Sequence, residues 1–160
     1  MILMDNTVLS NFALAGLLDL LRSFAGNKGV TTDHVLAEFS RGVEMGVLPE
    51  SNLTWLRVVQ LEGRSEEALF RSLRKELDIG EASCLAIAIA RESDFLTDDR
   101  DARAIARREG VRLSGSIGVL LSLVQSRQID LKRANHALND FICHGYYSPV
   151  KSLDPLLRAK

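Results

Sequence analysis

Short apolar runs alternate with longer stretches of helical periodicity along most of the chain. Five short runs are predicted as strands: 1–4, 30–32, 53–61, 94–99 and 111–116. The first is wholly apolar, and 53–61 is rich in β-branched and aromatic residues. The other stretches repeat apolar residues at helical spacing: 8–24, 33–46, 65–77, 79–93, 100–110, 116–128 and 130–145. Strands that alternate with helices favour a parallel sheet. We therefore predict an α/β fold, a three-layer α/β/α sandwich with a parallel twisted sheet.

Two of the predicted helices have distinctive sequences. The stretch 79–93 is apolar around nearly its whole circumference, which predicts a buried helix. The stretch 8–24 follows Thr7, a residue type that favours the N-cap position of a helix.

Length and composition indicate one compact domain. The chain has 160 residues, 46% of them hydrophobic and 26% charged, without a repeat, linker or low-complexity stretch. We predict a single domain over 1–160, in which 130–160 form a C-terminal helical extension. The first apolar run is too short for a signal peptide or a membrane span, and Cys84 and Cys143 lie in apolar helical contexts typical of buried thiols. These features predict a cytoplasmic protein.

Three aspartates stand where predicted strands end. Asp5 follows the first apolar run, and Asp98 and Asp99 end the run that begins at Asp94. The carboxyl ends of parallel strands lie at one edge of a sheet, which is where functional groups gather. Each aspartate also has a structural interpretation, because Asp after a strand often caps the next helix.

Two glutamates stand near the predicted apolar faces of helices. Glu38 falls at the margin of the buried stripe of its helix, and Glu81 lies in the first turn of the apolar helix. Glu38 could be an ordinary boundary residue, and the helix dipole alone favours an acid at the position of Glu81. Alternatively, both face the same edge of the sheet as the aspartates.

Carboxylates that converge cannot all stay ionised without a cation. Oxygen ligands without nearby His or Cys select a hard ion, Mg²⁺ or Mn²⁺. Such an ion can bind a phosphate oxygen and activate a water for in-line attack, so the pattern predicts phosphodiester hydrolysis.

Other kinds of site have little support in the sequence. The three histidines form no metal-ligand motif, and the chain has no G-x-S-x-G elbow, P-loop or G-x-G-x-x-G. The formal net charge of −1 means that any contact with nucleic acid is local. A local candidate is the basic run that includes Arg100 and Arg103, which is either a solvated helix face or a grip on phosphates or on an acidic partner.

The order of these residues resembles that of the PIN-domain ribonucleases, the family of the VapC-like toxins of prokaryotic toxin–antitoxin pairs. The resemblance rests on five segments: MDNTVLSNF, VTTDHVLAEF, IGEASCLAIAIA, FLTDDRDARAIARREGV and GSIGVLLSLVQSRQI. It covers roughly residues 2–130. The chain departs from many toxins in having Glu81 where they have Asp, and Ala102 where they often have an aromatic residue.

The resemblance implies a role for each matched residue. The acidic pocket for one or two Mg²⁺ or Mn²⁺ ions would consist of four residues: Asp5, Glu38, Glu81 and Asp99. Thr7 would support it by hydrogen bonding, and Asp98 is the neighbouring candidate for the fourth acid. The resemblance further implies an RNA substrate, a small antitoxin protein as partner, and a homodimer.

Two alternative functions remain at this stage. One is a PIN-fold protein with little or no catalysis that binds RNA or a protein partner. The near-neutral charge and the tail after Ile129, which matches no motif of the family, favour it. The other is a phosphoacceptor domain of the response-regulator kind, which also has aspartates at strand ends. That fold needs a Lys at the end of a late strand, and the stretch 111–116 has none.

Overall fold

The computed structural model describes residues 1–158 and contains a five-stranded, fully parallel sheet. The strands are β1 (Ile2–Met4), β2 (Gly29–Thr32), β3 (Arg57–Val59), β4 (Asp94–Leu96) and β5 (Leu113–Ser114). Their order across the sheet is β3-β2-β1-β4-β5, and β1 pairs with both β2 and β4. The predicted parallel sheet is confirmed.

Nine α-helices occur in the described part of the chain. They are α1 (Asn6–Leu14), α2 (Leu18–Ala25), α3 (Asp33–Glu44), α4 (Gly63–Leu73), α5 (Ile79–Ala90), α6 (Arg100–Arg108), α7 (Ser116–Gln125), α8 (Leu131–Cys143) and α9 (Asp154–Arg158). Helices α3, α4 and α6 all contact α5, while α1 contacts α2, α7 and α8. The fold is the predicted α/β/α sandwich. No helix of residues 1–158 is long and apolar enough to cross a membrane.

Helix α5 is the buried helix that its sequence predicts. Residues Ala82 to Ala88 are all buried, and α5 contacts β1, β2 and β4. The alanines and the serine of this stretch are small, which lets the helix approach the sheet closely. The amino end of α5, which holds Glu81, is therefore fixed by the core.

The single helix predicted over 8–24 is wrong, because the chain breaks it into α1 and α2. Gly16 has φ +69°, and its N–H donates to the carbonyl of Ala13 while that of Leu17 donates to Phe12. These two bonds end α1 in the pattern of a Schellman motif, which needs a left-handed residue. The apolar periodicity continues across the break and hides it from the sequence.

Two further predictions need correction. The strand predicted over 53–61 is limited to three residues, at an edge of the sheet, where Val58 is 44% exposed. Cys84 is buried as predicted, but Cys143 is exposed because it lies at the end of the amphipathic α8.

The C-terminal segment packs back onto the rest of the chain. Phe141 of α8 contacts Phe12 with ring centroids 4.8 Å apart, and Leu153 is fully buried. The side chain of Asn135 accepts from the N–H of Leu153 and donates to Asp154. Helices α8 and α9 lie within the predicted extension 130–160, of which residues 159–160 fall outside the described residues.

Candidate active site

The sheet order creates a switch point between β1 and β4. From β1 the chain continues to β2 and β3 on one side, whereas β4 and β5 lie on the other side. In open parallel sheets, such a point leaves a crevice at the carboxyl ends of the two neighbouring strands. Asp5 directly follows β1, and Asp98 and Asp99 follow β4 after one residue. The topology therefore brings the aspartates from both strands to one crevice.

Asp5 is the innermost of these acids, with 1% of its surface exposed. Its Oδ2 accepts hydrogen bonds from Thr7 Oγ1 at 2.8 Å and from Thr97 Oγ1 at 3.0 Å. Its Oδ1 is buried without any hydrogen-bond partner. Burial raises the pKa of Asp5, against the effect of the two hydroxyls.

Asp5 also caps helix α1, a role that the sequence suggested for Thr7. Helix α1 begins at Asn6, and the Asp5 side chain accepts from the N–H of Thr7. Thr7 is therefore inside the first turn, where its hydroxyl faces Asp5 and also accepts from the N–H of Asp98 at 3.0 Å.

Glu38 lies on α3 and contacts the start of α5. Its Oε1 accepts from the N–H of Gly80 at 2.9 Å. A Cβ on Gly80 would lie 2.5 Å from Glu38 Oε2, so a side chain there would displace the Glu38 carboxylate. The pKa of Glu38 is raised, first by burial and then by the charges of Asp5 and Asp78.

Glu81 has the most perturbed surroundings of the half-buried acids. Its Oε2 accepts from the N–H of Asp78 at 3.3 Å, across the first turn of α5. Burial raises its pKa to about 8, and the charges of Asp5 and Asp99 contribute in the same direction. Asp5 thus lies close enough to both Glu38 and Glu81 to disfavour their ionisation.

Asp98 and Asp99 differ sharply in their contacts. Asp98 accepts from the N–H of Ser116 at 2.9 Å, from Ser116 Oγ at 2.5 Å and from Asn11 Nδ2 at 2.9 Å. Asp99 caps α6, because its Oδ1 accepts from the N–H of Ala102 at 2.8 Å. Three donors therefore engage both oxygens of Asp98. Asp99 instead lies close enough to Glu81 for its charge to raise the pKa of that residue.

A polar cleft of about 340 Å³ opens beside this cluster. Its lining residues come from the turn before α5 and the start of α6: Arg74, Lys75, Glu76, Leu77, Asp78, Glu81, Asp99 and Asp101. Of the four matched acids, Glu81 and Asp99 line this cleft. Asp5 lies buried beneath the strand ends, and Glu38 is at the side of α3.

The two arginines predicted to contact RNA have different positions. Arg100 is exposed at the start of α6. Arg103 is half-buried, and its Nη1 donates to the carbonyls of Thr97 at 2.7 Å and Ser114 at 3.1 Å. Arg103 thus ties the ends of β4 and β5 together, a contact that its place in a basic run does not reveal.

The acid cluster has the chemistry of a site for a hard cation. Within residues 1–158, no Lys, Arg or His forms an ion pair with any of the four matched acids. Burial is the largest cause of the raised pKa of Glu81, and the charges of Asp5 and Asp99 add to it without a cation to offset them. The Oδ1 of Asp5 is buried without a hydrogen-bond partner. Oxygen donors of this kind fit Mg²⁺ or Mn²⁺.

The described side chains are not arranged so that many of them could bind one ion directly. Among residues 1–158, no three His, Cys, Asp or Glu side chains lie close enough to hold one metal ion together. Mg²⁺ commonly keeps several waters and uses only one or two carboxylates. The arrangement therefore fits an ion held by one or two direct contacts, with the other acids contributing charge.

Sequence reasoning missed three residues that hold the acids in place: Thr97, Asn11 and Ser116. Thr97 contacts Asp5 and also accepts from the N–H of Asp99 at 3.1 Å. A signal for Thr97 existed in the Thr-x-Asp spacing. Asn11 and Ser116 act on Asp98 across 87 and 18 residues of sequence, and no local pattern marks them.

Comparison with known proteins gives one match. A family model described as a PIN domain matches residues 1–159. No curated protein and no solved structure matches the chain. Since the family match spans nearly the whole sequence, the chain belongs to the PIN-domain family.

Proposed function

We propose that this protein is an endoribonuclease that depends on Mg²⁺ or Mn²⁺ and hydrolyses RNA phosphodiester bonds. PIN domains are typically nucleases and generally use divalent metal ions. The observation that carries the proposal is the set of carboxylates without a counter-charge at the switch point, with the orphaned Oδ1 of Asp5 at its centre. Such a set is costly for the fold alone, which indicates that it serves chemistry.

The chain's own residues have distinct tasks in this proposal. Asp5 and Asp99 would bind the ion, with Glu81 and Glu38 as charges behind its waters. Thr7 and Thr97 orient Asp5 by donating to its Oδ2, which directs Oδ1 away from them. When bound, the ion would balance the acids and supply the charge stabilisation that attack on phosphorus requires.

We assign the fourth acid of the pocket to Asp99 and a positioning role to Asp98. The support for this assignment is that Ser116 and Asn11 already satisfy Asp98, while Asp99 lines the same cleft as Glu81. Asp98 links α1, β4 and α7 and so holds the crevice in shape.

The biological setting that we propose is a VapC-like toxin, inhibited by a small antitoxin protein, that acts as a homodimer in the cytoplasm. The sequence resemblance is the support for this setting. A test is to express the wild-type chain and Asp5→Asn from an inducible promoter. We expect growth to stop when the wild-type chain is expressed and to continue when Asp5→Asn is expressed. Equal growth with both would contradict a toxin.

The direct test of the enzyme is cleavage of single-stranded RNA with Mn²⁺, with Mg²⁺ and with a chelator. We expect cleavage with either ion, none with the chelator, and at least about a hundredfold loss for Asp5→Asn. The control is Glu67→Gln, an exposed change on α4 away from the crevice. Folded wild-type protein that cleaves no RNA with either ion would contradict the proposal.

A second candidate is a PIN-fold binding protein with weak or no catalysis. The observation that favours it is that no three acidic, His or Cys side chains of residues 1–158 can hold one ion directly. This candidate predicts binding of RNA that is the same with chelator and with Mn²⁺, and no cleavage in either.

A further inference from the structure

The polar cleft beside Glu81 and Asp99 contains two basic residues that form no ion pair within residues 1–158. Arg74 and Lys75 line it together with Glu81 and Asp99. Both are exposed, and within residues 1–158 neither lies at ion-pair distance from an acid. Cations without an ion pair, beside carboxylates without an ion pair, indicate a ligand that carries negative charge. Divalent cations between this ligand and the carboxylates would offset their mutual repulsion.

The turn that carries these two residues is fixed at both ends. Leu73 and Leu77 are buried, with 7% and 6% exposure, and anchor the turn between α4 and α5. Arg74 Nη1 donates to the carbonyl of Leu77 at 2.6 Å, which holds the guanidinium over the turn. Glu81 follows shortly after Leu77, in the first turn of α5, so the backbone of this turn places both residues beside Glu81.

The arginines of α6 are less suited than Arg74 and Lys75 to bind a ligand in this cleft. Arg103 uses its Nη1 to bind two backbone carbonyls. Arg100 is exposed, but it does not line the cleft. The positive charges within the cleft that holds Glu81 and Asp99 are therefore those of the turn before α5.

We propose that Arg74 and Lys75 bind backbone phosphates of the RNA strand beside the scissile bond. This inference rests on the proposed function, because it assigns the substrate side of the same site. Backbone phosphates are the sequence-independent part of an RNA, and contacts to them position the strand. The two residues would set the strand's path into the cleft, while the acids carry the chemistry.

Binding can be tested apart from cleavage by using Asp5→Asn as the background. In it we would add Lys75→Gln and Arg74→Gln, singly and together, and measure the affinity for a labelled single-stranded RNA across a salt series. We expect about a fivefold loss of affinity for each change. The slope of log affinity against log salt should fall by about 0.7 for each phosphate that the variant no longer neutralises.

The matched control is the pair Lys28→Gln and Arg57→Gln. These residues are exposed at the amino ends of β2 and β3, at the edge of the sheet opposite to the acids. These control changes alter the net charge by the same amount as Arg74→Gln and Lys75→Gln. We expect the controls to lose less affinity and to show a smaller fall in the salt slope. Melting temperatures check that Arg74→Gln leaves the fold intact, and Lys75→Gln tests the proposal without touching the Arg74–Leu77 bond.

Kinetics of the otherwise wild-type enzyme give an independent measure. We expect Lys75→Gln to raise KM about fivefold and to change kcat little, since a phosphate contact acts equally in ground and transition states. The inference would be overturned if affinity and salt slope equalled those of Asp5→Asn and KM equalled that of wild type. The two cations would then be partners of the α4 helix end. Absence of cleavage by wild type would instead contradict the proposed function, and the binding series would still decide the inference.

Discussion

The two ends of helix α5 hold carboxylates in opposite electrical surroundings. Beside its carboxyl end, Arg91 donates to both oxygens of Glu66, with Nε–Oε1 at 2.7 Å and Nη2–Oε2 at 2.8 Å, and this pairing lowers the pKa of Glu66. At its amino end, burial raises the pKa of Glu81 to about 8, and the charges of Asp5 and Asp99 act in the same direction. A carboxylate that serves the fold has its counter-charge within the chain. The acids at the amino end form no ion pair within residues 1–158, although Arg74 and Lys75 line the same cleft as Glu81 and Asp99. We therefore expect these acids to depend on a cation from outside.

Removing the charge at the amino end has the largest expected effect. Glu81→Gln keeps the size of the side chain and an oxygen that can accept from Asp78, but it removes a carboxylate from the cation site. We expect RNA cleavage at saturating Mn²⁺ to fall about a hundredfold. Glu66→Gln is the matched change at the other end, and its rate should stay close to that of wild type. Equal cleavage rates for Glu81→Gln and wild type would contradict the difference that we infer between the two ends of α5.

The free energy of unfolding should show the reverse pattern, because here the change at Glu66 matters. Glu66→Gln removes the charge with which Arg91 makes its shortest ion pair, and we expect the free energy of unfolding to fall by about 2 kcal/mol. Urea unfolding measures the change. Glu67→Gln, at the exposed neighbour on α4, should alter stability by no more than about 0.5 kcal/mol. Glu66→Gln with the stability of wild type would show that the ion pair contributes nothing to the fold.

The pH dependence of stability should also differ between the two ends. The pKa of Glu81 rises from 4.5 to about 8, so its ionisation costs nothing below pH 4.5. The cost grows between these two values, and above pH 8 it is complete. Metal-free Glu81→Gln should therefore match wild type at about pH 5 and exceed it at about pH 9, by on the order of 1 kcal/mol.

Glu66 should show the opposite sign, because its pKa is lowered. Its ion pair stabilises the protein above the ordinary pKa of 4.5, and this contribution is lost as the pH falls through the lowered pKa. Thermal unfolding of both variants from acid to alkaline pH, with a chelator present, tests both signs. A stability difference for Glu81→Gln that does not change with pH would exclude a raised pKa for Glu81.

The hydroxyl groups around Asp5 should have the smallest effect. Thr97→Val removes the donor to Asp5 Oδ2 and the acceptor for the N–H of Asp99. We expect about a fivefold fall in kcat, since the acids keep their charge but lose part of their orientation. Thr97→Ser keeps the hydroxyl and should restore the rate. Failure of Ser to do better than Val would show that the effect comes from packing.

The sequence predicted those features that local patterns determine. Strand endings placed Asp5 and Asp99 at one edge of the sheet, and the apolar run of α5 placed Glu81 at the start of a buried helix. The break at Gly16 was not predicted, because apolar spacing continues through it. The roles of Asn11 and Arg103 depend on contacts made across the sheet end, which no local pattern encodes.

The most direct test of an externally supplied cation is calorimetric titration of the metal-free protein with Mn²⁺ near neutral pH. Titrations in two buffers that differ in ionisation enthalpy report the protons released. We predict saturable binding that releases close to one proton per ion, because Glu81 is largely protonated beforehand, and we predict that Asp5→Asn abolishes this binding. No saturable binding by the wild-type protein, or equal binding by Asp5→Asn, would contradict the account.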